Sequence, residues 1–198
     1  MENLQELEIR SKVREAYTAA ADRPGEKHPF PIGRAFAESL GYPATLLDTL
    51  PSQSVDAFAG VSNVSLFAEI SEGTTVLDLG CGAGLDSLIA ARRTGPSGKV
   101  IGIDFSAVML ERARQSAKAA NIENAQFEQA DAEQLPVAAA SVDVALVNGI
   151  FNLNPAREAI FKELARVLKI GGKLFGAELI LGRTLPPNVN QTAADWFA

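Results

Sequence analysis

Three acids stand at the ends of three short strand-like runs. Asp78 falls at the close of TTVLDL, Asp104 ends KVIGID, and Asp131 follows AQFEQA. Directly after the first run comes GCGAG, in which Gly80, Gly82 and Gly84 alternate with Cys81 and Ala83. Alternate glycines strip side chains from a turn and let bare backbone approach a ligand. An ionised carboxylate only accepts hydrogen bonds, so a row of acids suits a ligand rich in donors, such as vicinal hydroxyls or an ammonium. A glycine-rich turn by itself can bind NAD, another nucleotide or nothing. Two details speak against a dinucleotide: Leu85 occupies the last position of G-x-G-x-x-G, and Asp78 would face a pyrophosphate.

Other chemistry-bearing residues are sparse. His28 is the only histidine, in a proline-rich loop; its type can act as a general base near neutral pH, and equally sits solvated in loops. Tyr17 can close over a cationic centre with its ring or hydroxyl, or simply pack. Asn148 ends a fourth apolar run and Asn152 follows it, placed either to orient an acceptor or to bond a turn's backbone. Cys81 is the only cysteine. It cannot form an internal disulfide, which suits a reducing cytoplasm, and inside the turn it reads as packing. No nucleophile–base constellation is evident.

The elements that must hold these residues follow a regular rhythm from residue 75. Strands are expected at 75–79, 99–104, 125–129, 142–148 and 173–181. Helices are expected at 85–94 and 107–120, and a third is expected to open at Asn154-Pro155 and to close at Gly171-Gly172. Strands alternating with helices predict an α/β fold, a doubly wound and mostly parallel sheet with right-handed crossovers. Ligands bind such sheets beyond the carboxyl ends of the strands, where Asp78, Asp104, Asp131 and Asn148 all fall. Helical stretches at 4–21, 34–40, 44–50 and 55–68 are broken by prolines and glycines. They read as an N-terminal helical cap over 1–70, ahead of an α/β domain over 71–198.

Bulk properties exclude some classes. With 18 basic and 24 acidic residues the net charge is −6, and no basic run exceeds Arg92-Arg93, so nucleic acid has no footprint. No window approaches the ~18 apolar residues of a membrane span, and MENLQELEIR lacks an export-signal core. Gly182 to Ala198, with Pro186-Pro187, is too short for a helix and two strands. Five parallel strands with an incomplete C-terminal end are therefore expected. The exposed edge would be shielded by a longer product or by a dimer partner.

VLDLGCGAG, VIGIDFS and QADAEQLP together resemble the class I S-adenosylmethionine-dependent methyltransferases, over about residues 75–181. The resemblance implies a Rossmann-like methyltransferase fold and S-adenosylmethionine as cofactor. It implies that Asp78, Gly80, Cys81, Gly82 and Gly84 hold the methionine end, and that Asp104 takes both ribose hydroxyls. Phe105 or Met109 would pack on the adenine, Asp131 with Ala132 would read its edge, and Asn148 would complete the site. GYPATLLDTLPSQSVDAFAGVSNV and ALVNGIFNLNP look closer still to the arsenite methyltransferases, with the quinone-biosynthesis methyltransferases as the neighbouring branch. Arsenite enzymes carry a cysteine where this chain has Gly149, and further thiols that this chain lacks. Soft As(III) prefers thiolates, so a small organic acceptor is the expectation. Tyr17, His28 and Asn152 are the candidates for catalytic roles. The alternatives are a non-catalytic S-adenosylmethionine-binding protein and an arsenite enzyme whose thiols lie beyond this chain.

Overall fold

The computed structural model describes residues 4–180. Five strands form one sheet: β1 (Thr75–Leu79), β2 (Lys99–Asp104), β3 (Ala125–Gln129), β4 (Val142–Asn148) and β5 (Leu168–Ala177). Their order is β3-β2-β1-β4-β5 and every pairing is parallel. The four first strands take the bounds expected from their strand-like runs. β1 and β4 lie inside the sheet with helices on both faces, which is why their residues are almost continuously apolar. The order reverses direction beside β1, so the crevice above β1 and β4 is the topological switch point.

The crossover helices are α6 (Leu85–Thr94), α7 (Ala107–Ala119) and α8 (Arg157–Val167). Ser106 caps α7 by accepting a hydrogen bond from the Met109 N–H. Arg92 and Arg93 fall in the last turn of α6, where cations complement the helix dipole. Before the sheet run α1 (Leu4–Asp22), α2 (Arg34–Ser39), α3 (Ala44–Leu47), α4 (Ser52–Asp56) and α5 (Val64–Phe67). Tyr42, Leu47, Val55 and Phe58 share one core with Leu85, Leu88 and Ile89 of α6. The cap is thus welded to the face of α6.

Several boundaries differ from expectation, among them the helix expected over 44–50, which ends at Leu47. The stretch 55–68 is two short helices, because residues 57–63 run irregularly past the end of β4 and hydrogen-bond there instead of to each other. α8 starts at Arg157, since Asn154 Oδ1 caps the Ala156 N–H rather than opening the helix at Pro155. β5 occupies 168–177 instead of 173–181. Leu168 turns extended (φ −68°, ψ 137°) and pairs with Val142, after which the register jumps to Val144 opposite Lys173. Gly171, at φ +82°, lies inside that irregularity instead of ending the helix. β5 forms an edge of the described sheet, with Ile170 and Leu174 exposed. The expectation about the segment from Gly182 onward lies outside the described residues.

Candidate active site

The glycine turn is fastened to the end of β2. Gly80 and Cys81 both donate their N–H to the Ile103 carbonyl, at 2.8 and 3.0 Å. Gly82 donates to Asp104 Oδ2 at 2.9 Å, and Ser106 N–H donates to Asp104 Oδ1 at 2.8 Å. Gly80, Gly82 and Gly84 all have left-handed φ, +75°, +52° and +88°, which explains the residue type at alternate positions. Their surroundings differ. A Cβ on Gly80 would meet Ile150 Cγ2 at 2.4 Å, and one on Gly84 would meet Ala113 Cβ at 3.1 Å. One on Gly82 would meet no protein atom within 4 Å. It would project into a cavity of about 1160 Å³, counting its open mouth, that Gly82 lines with Asp78, Asp104, Phe105 and Met109. Gly84 serves the packing of α6 on α7 and lies off the cavity.

Two of the acids are buried beneath this turn. Asp78 accepts a hydrogen bond from the Ser87 hydroxyl. Burial, and then the nearby Asp86 carboxylate, push its carboxyl up to about 8. Asp104 is also raised by burial, against the pull of the backbone N–H groups that it accepts. Cys81 is buried here too, and desolvation pushes its thiol well up. It is a packed thiol and not a thiolate ligand.

The back wall is a polar network that the sequence did not single out. Asp86, in the first turn of α6, accepts hydrogen bonds from Tyr42 (2.5 Å), from the Ser65 hydroxyl and from Asn148 Nδ2 (2.9 Å). Asn148 Oδ1 accepts from Val61 and Ser62 N–H, and its Nδ2 also donates to the Ser62 carbonyl. All four hydrogen-bonding positions of the Asn148 amide therefore hold protein partners. Gly60 and Gly149 complete the joint. A Cβ on Gly60 would lie 2.5 Å from Asn148 Nδ2, and one on Gly149 (φ +81°) would lie 2.9 Å from Val61 Cγ1. Gly149 is a steric necessity of this wall.

The roof is α1. Arg10, Val13, Arg14 and Tyr17, spaced i, i+3, i+4 and i+7, present one helix face to the cavity. Arg10 pairs with Glu133 and Arg14 with Asp131, so both charges of the loop after β3 are met from above. Ala132 of the same loop lines the cavity. Tyr17 stacks on Phe30 at 4.5 Å between ring centres and stands edge-on to Phe105 at 6.5 Å. Burial, with Asp104 and Glu178 nearby, raises its phenol. His28 and Asn152 are not brought in. His28 Nε2 lies 2.9 Å from the Arg23 carbonyl, and the Asn152 amide donates to the Leu179 carbonyl. The signal for Asp86 in the sequence was only an acid at a helix start. For Arg10, Arg14 and Glu133 there was none, since each pair spans more than a hundred residues.

A switch-point crevice floored by a left-handed glycine turn and strand-end acids is where α/β folds of this strand order bind nucleotide-like ligands. Residues 70–196, more than half of the sequence, match the family described as a methyltransferase domain, and the chain belongs to that family. An arsenite methyltransferase of Halobacterium salinarum is 36% identical over 153 residues, covering 77% of this chain and 39% of that protein. A demethylmenaquinone methyltransferase of Lactococcus lactis is 40% identical over 102 residues, covering 52% of this chain and 40% of that protein. Among solved structures, an arsenic(III) S-adenosylmethionine methyltransferase from Chlamydomonas reinhardtii superposes with a TM-score of 0.60 at 29% identity, covering 79% of this chain and 52% of that one. The chain spans less than half the length of these two curated relatives.

Proposed function

We propose that this chain binds S-adenosylmethionine and transfers its methyl group to a small organic acceptor. The observation that carries the reading is Gly82: its missing side chain faces open cavity beside a buried carboxylate, Asp104. The donor chemistry fits. The floor supplies acceptors at Asp78, Asp104 and Asp131, and the cofactor brings an ammonium, two ribose hydroxyls and an adenine amine. Asp104 keeps lone-pair capacity for a hydroxyl donor beyond the backbone N–H groups of Gly82, Phe105 and Ser106 that it accepts.

In this reading Asp78, with Gly80, Cys81 and Gly82, holds the methionine end and Asp104 the ribose. Phe105 and Met109 flank the base, and Asp131 with Ala132 meets its edge. Asn148 acts through the 60–62 segment that it anchors. The cofactor, when bound, supplies a methyl group already activated on a sulfonium. What this chain adds is alignment and exclusion of water. Tyr17 closes the roof over the cavity, while Phe58, Ile150 and Leu153 give the remaining wall an apolar lining suited to a carbon skeleton. We assign 1–70 to the cap and 71–198 to the cofactor domain, a division supported by the family match starting at residue 70. Among the described residues no helix is long and apolar enough to cross a membrane, and we propose the cytoplasm as the setting.

An organic acceptor is supported by the donor set. The one thiol of the sequence is sealed in the turn, and Gly149 stands under Val61 where a cysteine would clash. The relatives named for arsenite make that ion the required control. Calorimetry with S-adenosylmethionine and with NAD, followed by labelled-methyl assays on quinols, phenols, amines and arsenite with glutathione, tests the proposal. We expect binding of the first cofactor only, and label in an organic acceptor. Binding without turnover on any acceptor would leave a binding protein, rapid methylation of arsenite would overturn the acceptor class, and absence of binding would remove the whole reading.

A further inference from the structure

Arg14 reaches from the roof across the mouth of the cavity. Its guanidinium carbon lies 5.4 Å from the centre of the Phe105 ring, and its Nη2 donates to Asp131 Oδ1. These are the two contacts that the proposed function assigns to the cofactor's base: a flat face against Phe105 and an N–H donor to Asp131. A guanidinium is planar, delocalised and carries donors in its plane, so it satisfies the same pair of groups as an aminopurine does. We propose, resting on that reading, that Arg14 is a placeholder in the base subsite and must leave Phe105 and Asp131 before the adenine can take them.

The exposure of the two latch pairs makes the exchange inexpensive. The Arg14 and Asp131 side chains are 48% and 53% exposed, against 20% and 15% for Arg10 and Glu133. An exposed pair is weak and salt-screened, and a long arginine stem can swing its head into water without moving its helix. The more enclosed Arg10–Glu133 pair, one helical turn away, keeps α1 seated while Arg14 moves. Tyr17 stands edge-on to Phe105, its ring centre 6.5 Å away, and is held by its stack on Phe30. Without the placeholder, the Asp131 carboxylate and the Phe105 face would stand in water, ready for any flat cation.

The test compares the wild-type chain with Arg14→Ala and Arg14→Met by calorimetry, using S-adenosylmethionine and adenosine as probes. Removing a competitor should tighten both probes by about two- to fivefold, the range of an exposed ion pair. The gap between wild type and variant should shrink as salt rises from about 0.05 to 0.5 M. Arg14→Met keeps the aliphatic stem, so it reports if the alanine variant folds poorly; melting curves check both. Weaker binding in the variants would make Arg14 a cofactor contact and overturn the proposal, as would equal affinity. Failure of wild type and variants alike to bind S-adenosylmethionine would instead remove the functional reading on which the proposal rests.

Discussion

The floor and the roof of the cavity are built on different physics. The floor is backbone and buried carboxylate: the 80–82 turn is tied to Ile103 and Asp104, and Asp78 is buried against Ser87 of α6. Its hydrogen bonds are buried or partly buried, so a lost partner leaves a largely desolvated group behind. The roof is a single helix that packs Val13, Ala20 and Ala21 beneath it and meets the loop after β3 through two side-chain ion pairs, of which Arg14–Asp131 is half exposed to water and salt. A rigid floor fixes where a ligand's reacting end lies, while a loosely latched roof lets it in. The contrast predicts that floor variants lose binding outright and that roof variants change it by small factors of either sign.

The largest effect is expected from Gly82→Val. The side chain would occupy the space now open beside Asp104, and a β-branched residue is poorly tolerated at φ +52°. We expect S-adenosylmethionine binding to fall by more than ~100-fold, with a strain of about 1–2 kcal/mol lowering the melting temperature by a few degrees. Calorimetry and a melting curve check both. A bound cofactor seen in this variant would show that the turn is not the contact surface.

Asp104→Ala comes next. It deletes the acceptor proposed for both ribose hydroxyls, at about 2–4 kcal/mol of affinity. It also strands the Gly82 and Ser106 N–H groups, so the fold itself should lose about 1–3 kcal/mol. Denaturant unfolding read beside the binding isotherm separates the two. Unchanged affinity would take Asp104 out of the site.

That double role of Asp104 shows what the sequence could and could not carry. Strands β1, β2 and β4 and helix α6 were legible to the residue because apolar positions are closed by an acid, a glycine or an arginine pair at or just past their ends; β3, AQFEQ, was legible from its place in the alternation and from Asp131 beyond it. The acids of the floor were legible for the same reason. Their hydrogen bonds to the turn were not, since these depend on β1 lying beside β2, nor was the Asp86–Asn148 joint, which depends on how the cap lies against β4. The end of α8 was misplaced because a glycine pair marks a break without saying whether helix or strand is broken. Arg14 meeting Asp131 and Arg10 meeting Glu133 left no local signal at all. Tertiary contacts across more than a hundred residues have no period to read.

A moderate effect concerns pH. The carboxyl of Asp78 is raised from an unfolded value near 3.8 to about 8. The stability it contributes is therefore complete below pH 3.8 and is lost as pH rises through about 8. Binding runs the other way, because an ammonium favours the ionised carboxylate. Where Asp78 is protonated in the free protein and ionised in the complex, cofactor binding should release up to one proton, and affinity should rise with pH by at most about tenfold per unit until the free protein's carboxyl is itself ionised. Titrations in buffers of different ionisation enthalpy measure the proton count. Asp78→Asn should bring it close to zero, and an unchanged count would assign the proton to another group.

The smallest effect is expected in the roof, from Glu133→Gln. The change keeps the side chain's size and leaves an oxygen to accept from Asn154, which donates to Glu133 Oε1 at 2.9 Å. Only the charge that faces Arg10 is removed. The Arg10–Glu133 pair is partly enclosed, so its loss should cost more than an open surface pair does, yet stay near 1 kcal/mol. Amide hydrogen exchange localises the effect, since helices held by few contacts open far below the global unfolding energy. In the wild type the amides of α1 should exchange faster than those of β1 and α6. In the variant α1 alone should quicken further, by about fivefold, with the 75–104 floor unchanged. Equal quickening in floor and roof would mean that the two open as one unit, and the distinction drawn between them would fail.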